Sequence, residues 1–309
     1  MNDKIDAFAF SREIRQRIPK PDRTMAPVRW YGGKGNMAKK IVQLIPSSKI
    51  YVEPYCGAAS IFWHLKPRPI EVLNDLNEEL ITLFRVLQDK EQFEELAHRL
   101  TWTPYSRSEF VRALEVDRDA ADIDVAWATM VKFCMGMSGF AKTFGNWSRT
   151  FIESRGMPLS CSRWRACLRL LDWWHDRISR VQLECNDALT VIDYWDTPDT
   201  TFYIDPPYVS SSRVSQKVYD YETEDEHHRK LVSLLLQVKG NVVLSGYANE
   251  IYEPLEQAGW RRVDFQTACY ARCRHRNSNL VGEGAATKHV PRTESAWIKP
   301  TKKQSGMLF

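Results

Sequence analysis

The chain has 309 residues, 43% hydrophobic and 27% charged, with a net charge of only +4, so bulk charge selects no partner. That length suits one large α/β domain with a smaller one inserted or appended. No run of about eighteen apolar residues suggests a membrane span, Met1–Arg23 lacks the apolar centre of a signal peptide, and seven cysteines, an odd number, read as free thiols in a reducing cytoplasm.

Residues 1–24 read as a flexible leader ending in Pro19-Lys20-Pro21. Trp30-Tyr31-Gly32-Gly33-Lys34-Gly35 is a glycine-rich turn, followed by a helix over Asn36–Leu44. A strand, Lys49–Glu53, turns through Pro54-Tyr55-Cys56-Gly57-Ala58-Ala59 into a helix at Ser60–Leu65. A strand at Ile70–Asp75 and a helix at Glu78–Gln88 repeat the pattern, and this alternation predicts a parallel sheet. Between 90 and 180 the pattern becomes mostly helical, with helices over Ser108–Leu114, Ala120–Phe133 and Trp164–Ile178 and a Gly/Phe-rich loop or hairpin over Met135–Trp147. The α/β rhythm then resumes, with strands at Val181–Cys185, Phe202–Asp205, Asn241–Ser245, Arg262–Ala268 and Ser295–Lys299 and a helix at Glu224–Val238. The layout is a catalytic sheet domain, residues 25–89 and 181–299, interrupted by an inserted region at 90–180 and followed by a disordered tail at 300–309.

Arginine is unevenly spread. Seven stand between Arg149 and Arg180 against three acids, and five between Arg261 and Arg276 against Asp264 alone. Such patches suit phosphate contact or a solvated face. Cys269, Cys273 and His275 lack a second ligand pair at zinc-site spacing, so no metal is expected.

The chemistry concentrates at strand ends. Asp205-Pro206-Pro207-Tyr208 follows an apolar run, and two prolines cannot continue a central strand. A carboxylate, backbone carbonyls and an aromatic face are thereby presented where open α/β sheets bind ligands. They suit a planar substrate with an exocyclic amine, such as an adenine, although the tetrapeptide alone also fits a simple turn. The turn Tyr51–Phe62 holds one glycine, Gly57, and lacks the G-x-G-x-x-G fingerprint, which disfavours a nicotinamide cofactor. Asp75, twenty-two residues after Glu53, can hold ribose hydroxyls or cap a helix. Asp187 can accept from a purine amine or cap a helix, and Lys34 can meet a carboxylate or a phosphate. The glycine turn lacks the spacing of a P-loop.

Four elements in order resemble the Dam-type adenine-specific DNA methyltransferases. Trp30–Lys34 is similar to the family's W-x-G-G-K, Val52–Ser60 to its V-E-P-F-x-G-x-G-S, and Asn74–Asn77 to its D-x-N, while Asp205–Tyr208 is the catalytic tetrapeptide. The resemblance implies a Rossmann-like methyltransferase sheet with a helical target-recognition insertion, S-adenosylmethionine as donor and double-stranded DNA as partner. It places Trp30, Lys34, Glu53, Tyr55 and Gly57 in the cofactor pocket, Asp75 on the ribose and Asp187 on the cofactor adenine. Ala59 stands where the family has its second glycine, and Tyr55 where it has Phe. The recognition region matches loosely, only through Gly136–Gly145 with Phe140, Lys142 and Phe144.

The implied reaction is methylation of N6 of an adenine flipped from the duplex. Asp205 and the Pro206 carbonyl accept the amine hydrogens, and Tyr208 stacks on the base. Lys142, Arg149, Arg163, Arg165 and Arg213 are the candidate DNA contacts. Cys56 is a bystander, and His227 and His228 are expected to be capping or surface residues. The same acceptor-and-ring site also suits cytosine N4 or an RNA adenine, and a silent nucleic-acid-binding scaffold is a third reading. A cognate restriction enzyme is not readable from the chain.

Overall fold

The computed structural model describes residues 21, 24–30, 32–137, 147–207, 225–269 and 290–300, with only the backbone of 267–269 and 290–292. Two compact units emerge, one holding residues 32–81 and 181 onward, the other the residues before 32 together with 82–180.

The first unit is built on a seven-stranded sheet: β1 (Ile50–Glu53), β2 (Ile70–Asn74), β3 (Gln182–Glu184), β4 (Thr200–Ile204), β5 (Asn241–Gly246), β6 (Arg261–Cys269) and β7 (Val290–Ile298). The spatial order is β3-β2-β1-β4-β5-β7-β6. The first five strands run parallel, and β7 pairs antiparallel with both β5 and β6. This is a Rossmann-like α/β sheet whose order reverses between β1 and β4, the topological switch point at which such sheets bind ligands.

The two faces of the central strands differ. Val52, Val72, Phe202, Ile204, Val242, Leu244 and Trp297 lie on one face and form the core with Val191, Leu231, Leu235 and Leu255 from helices Ala188–Tyr194, Asp225–Gln237 and Glu253–Gln257. Each such fully buried side chain contributes roughly 1.5–3 kcal/mol. On the opposite face, at alternate positions, stand Tyr51, Glu53, Thr201, Tyr203 and Ser245, all buried. Polar groups in the middle of a sheet need partners.

The second unit is helical. Asp89 caps Lys90–Trp102 by accepting from Gln92 N at 2.9 Å, and Ser106 caps Arg107–Leu114 by accepting from Glu109 N at 3.2 Å. Asp122–Met135 buries ten of its fourteen residues, as a central helix must. The helix expected at Trp164–Ile178 is instead two, Leu159–Leu168 and Leu171–Ile178. The chain breaks at Leu170, where ψ opens to −2°, and Trp164, Cys167, Trp173 and Trp174 are all buried around the break. A two-residue-per-strand hairpin, Glu153–Ser154 with Met157–Pro158, turns through Arg155 and Gly156 at φ 57° and 71°. Gly136 and Trp147 form an antiparallel bridge at the two ends of the Gly/Phe-rich segment.

Candidate active site

Pro54 stops β1 and Pro206-Pro207 stops β4, so two neighbouring parallel strands release their chains at the same edge. Lys34, from the short 3-10 turn Lys34–Asn36, reaches the second of these ends. Its Nζ donates to Asp205 Oδ1 at 2.6 Å and Oδ2 at 2.9 Å, and to Gly32 O at 3.3 Å. Burial by itself lowers the lysine pKa, but the charges of Asp205 and Glu294 outweigh it and hold the ammonium well above its ordinary value. Oδ1 of Asp205 accepts a second bond from Ser245 Oγ at 2.8 Å.

The turn after β1 is shaped by left-handed backbone. Gly57 has φ 48° and Ala59 φ 54°, so Ala59 keeps the conformation a glycine takes without penalty, at a cost of about 1–2 kcal/mol. Gly57 N donates to Asp75 Oδ2 at 2.7 Å and Asn77 N to Oδ1 at 2.9 Å. Packing around the Asp75 carboxylate raises its pKa, against the lowering effect of those two N–H bonds. The helix cap is Asn77, whose Oδ1 accepts from Leu80 N at 3.1 Å. Asn74, fully buried, donates from Nδ2 to Pro54 O at 2.8 Å and Asn186 O at 2.9 Å, and accepts from Asn186 N at 2.8 Å. One amide thus ties together the loops leaving β1, β2 and β3.

Glu53, at the end of β1, accepts from the Tyr51 hydroxyl at 2.6 Å. The hydroxyl of Tyr55, which a Phe in that place would lack, pairs with His227 Nε2 at 2.6 Å. Burial and the nearby acids push the Tyr55 phenol far up, and burial lowers His227, so the bond joins two neutral groups and the imidazole tautomer sets which one donates. Burial likewise raises the Cys56 thiol well above its ordinary range.

Lys34, Glu53, Tyr55, Gly57, Asp75, Asp187, Asp205 and Pro206 all belong to the sheet unit. Asp187 is exposed and caps Ala188–Tyr194, its Oδ1 accepting from Leu189 N at 3.0 Å and Thr190 N at 3.1 Å. Trp30 belongs to the helical unit, its ring 5.0 Å from Phe133. So do Arg149, Arg163 and Arg165, all exposed. Tyr208, Lys142 and Arg213 lie outside the described residues, as do the leader, the tail and most of the Cys269–His275 cluster. Two expectations are corrected. His228 is wholly buried and bonded through Nδ1 to the Tyr252 hydroxyl at 2.8 Å, because it shares a helical face with Leu231, Val232 and Leu235. Arg177, one of the seven clustered arginines, is buried and offers no phosphate contact.

The motifs passed over Tyr203, Ser245, Asn74's amide bonds and His227. A signal existed for the first two: polar side chains at alternate positions of otherwise apolar strands, on the face that carries Glu53.

A family model of the D12 class N6 adenine-specific DNA methyltransferases matches residues 30–268, well over half of the 309 residues. The chain belongs to this family. A DNA N-6-adenine-methyltransferase of Escherichia phage P1 is 30% identical over 90 residues, 28% of this chain and 12% of that protein. The Lactococcus lactis subsp. cremoris Type II methyltransferase M1.LlaDCHI is 37% identical over 70 residues, 22% of this chain and 24% of that one. The chain thus aligns with a quarter or less of either relative. Among solved structures, a precorrin 8w decarboxylase of Methanobacterium thermoautotrophicum matches at TM-score 0.34 and 10% identity, covering 86% of this chain and 89% of that one. A Pyrococcus horikoshii protein described as an RNA methyltransferase matches at TM-score 0.35 and 10% identity, covering 96% and 97%. Such low scores carry no weight beside the strand order itself.

Proposed function

We propose that this D12-family chain transfers a methyl group from S-adenosylmethionine to N6 of an adenine flipped out of double-stranded DNA. The single observation that carries the reading is the Asp205 carboxylate, placed at the switch point by two prolines and anchored from Lys34 Nζ at 2.6 and 2.9 Å.

The donor set fits the cofactor. S-adenosylmethionine offers ribose hydroxyls, an ammonium and a purine amine, all hydrogen-bond donors, and Glu53, Asp75 and Asp187 are acceptors. Asp75 uses one backbone N–H on each oxygen, which leaves lone pairs for hydroxyls. The left-handed turn at Gly57–Ala59 carries small side chains past which a ligand can approach the backbone. When bound, the sulfonium supplies an electrophilic methyl group.

Adenine N6 is a weak nucleophile because its lone pair is delocalised into the ring. Asp205 and the Pro206 carbonyl accept its two hydrogens and favour the tetrahedral amine, and Tyr208 stacks on the base for about 1–3 kcal/mol. The N–C bond forms as the C–S bond breaks, and the amine loses a proton once the methyl has transferred. Asp205 therefore need not be a strong base, and alignment supplies most of the acceleration. Arg149, Arg163 and Arg165 are assigned to DNA phosphates, with Lys142 and Arg213. Free thiols at Cys56, Cys134, Cys161 and Cys167 suit a cytoplasmic setting.

The test is incubation with labelled S-adenosylmethionine and genomic DNA, followed by mapping of the modified base. N6-methyladenine is expected, and methylated cytosine alone refutes the reading. Asp205→Ala is expected to lower transfer at least about a thousandfold while cofactor affinity stays within a fewfold. Asp205→Asn controls for the buried Lys34 that alanine leaves without its carboxylate.

A further inference from the structure

Among the described residues Asp205 has two side-chain donors, and only Lys34 comes from a recognised motif. The other is Ser245, at the end of β5, whose Oγ lies 2.8 Å from Asp205 Oδ1 and 3.5 Å from Ile204 O. The same Oγ lies 2.9 Å from the Tyr203 hydroxyl. A serine hydroxyl has one hydrogen. The shorter, anionic acceptor takes it, so Tyr203 must donate to Ser245. The chain is directed: Tyr203 to Ser245 to Asp205.

Both relays are sealed from water, Tyr203 at 2% and Ser245 at 3% exposure. Burial and the charge of Asp205 push the Tyr203 phenol far above its ordinary range, so it remains a donor throughout the working pH range. The register explains the arrangement. Tyr203 pairs with Val243 and Ile204 with Leu244, so Tyr203 and Ser245 project from the same face of adjacent strands, two positions apart. Asp205 follows directly and meets Ser245 across the strand ends.

The consequence lies in how the carboxylate is filled. Among the described residues, Oδ1 accepts from Lys34 and Ser245 and so uses both its lone pairs, whereas Oδ2 accepts from Lys34 alone and keeps a position for one more donor. We propose that Ser245, backed by Tyr203, is a positioning residue for methyl transfer, fixing Asp205 by Oδ1 so that Oδ2 faces the amino group of the target base. This rests on Asp205 as the amine acceptor and adds which residues orient it and which oxygen it uses.

The experiment is steady-state methyl transfer by the full chain carrying Ser245→Ala, Ser245→Thr, Tyr203→Phe and the Ser245→Ala/Tyr203→Phe pair. Ser245→Ala should lower kcat about tenfold or more through misalignment, with KM for S-adenosylmethionine and for DNA within about twofold. Ser245→Thr, which keeps the hydroxyl, should regain most of the loss. Tyr203→Phe should lower kcat by about threefold, since it removes only the backing donor. The pair removes the orphaned phenol and should match Ser245→Ala in kcat even where that single variant folds poorly. Unchanged kcat in both Ser245→Ala and the pair, or Ser245→Thr as slow as Ser245→Ala, overturns the proposal. So does a rise in KM for S-adenosylmethionine with kcat intact, which marks a merely structural support of the cofactor turn. A wild-type chain that methylates no DNA refutes the functional reading instead. Crystal structures of wild type and Ser245→Ala then decide the positioning role: a rotated Asp205 carboxylate supports it, and an unmoved one overturns it.

Discussion

The sheet unit and the helical unit hide their polar groups in different ways. In the sheet unit the buried groups include charges: Lys34, Glu53, Glu71 and Glu294 are all less than a tenth exposed. Several converge on one face, where Lys34, Asp205, Ser245 and Tyr203 form a continuous chain. The helical unit buries charges too, Lys132 and Arg177, but they are not part of such a chain on one sheet face, and several of its tryptophan N–H groups find single neutral acceptors. Trp127 donates to Thr103 Oγ1 at 2.9 Å, Trp164 to Thr103 O at 3.2 Å and Trp174 to Met25 O at 2.9 Å. Arg112 and Arg99 lie over the ring of Trp127, 4.8 and 5.9 Å from its centroid. Satisfying an N–H stabilises a fold. Gathering charges out of water costs stability and is retained where chemistry needs them.

Substitutions should therefore act on turnover in the sheet unit and on DNA affinity in the helical one. The largest expected effect is Lys34→Met, which keeps the side chain's length and removes its charge. Methyl transfer should fall at least about a hundredfold, and stability by about 3 kcal/mol, because a mostly buried Asp205 loses its counter-charge. The sign of the pH dependence follows from the raised lysine pKa. Stability from the pair is fully present below the unfolded lysine value of about 10.4 and is lost only as pH rises through the folded value. The wild-type minus variant difference in unfolding free energy should thus stay flat from neutral pH up to about 10. A variant that loses stability but keeps kcat breaks the contrast between the units.

A middling effect is expected from Arg149→Ala, Arg163→Ala and Arg165→Ala combined. All three are exposed, so stability should change by less than about 1 kcal/mol. KM for DNA should rise, and the slope of log affinity against log salt should shrink by up to about 3, with kcat at saturating DNA unchanged. An unchanged salt slope removes these arginines from the phosphate contacts.

Ala59→Gly should do least. Relief of left-handed strain, about 1–2 kcal/mol, is opposed by loss of a buried methyl, about 0.8 kcal/mol, and by glycine's unfolded-state entropy, about 0.5–1 kcal/mol. Denaturant unfolding should place the variant within about 1 kcal/mol of wild type. That balance is why alanine can occupy the family's glycine position. A gain or loss well beyond that range means the turn is held by something other than its backbone.

Much of the sheet unit was legible because its signals are local. Pro54 and Pro206-Pro207 mark strand ends, Gly57 marks the turn, and Asn74–Asn77 marks the next strand end and helix start, all within a few residues of the groups they position. The helical unit gave less, and the expected single helix Trp164–Ile178 shows why. Its apolar periodicity is real, but two short helices on either side of Leu170 carry the same pattern. His228 misled for a related reason. Beside an exposed neighbour it reads as surface, and only the inward face it shares with Leu231 and Leu235 reveals its bond to Tyr252.

By itself the sequence determined the order of strands and motifs along the chain, the family they belong to, and Asp205 and Lys34 as separate candidate site residues. Only the tertiary structure decided what each meets. Lys34 and Asp205 are 171 residues apart, Asn74 and Asn186 are 112, and Asp205 and Ser245 are 40. Period-two alternation tells which side chains share a face of one strand, but register and strand order decide which strand lies beside it. For that reason Asp205 could be placed at a strand end from the sequence, while the hydroxyls bonded to it appeared only once β4 and β5 were laid side by side.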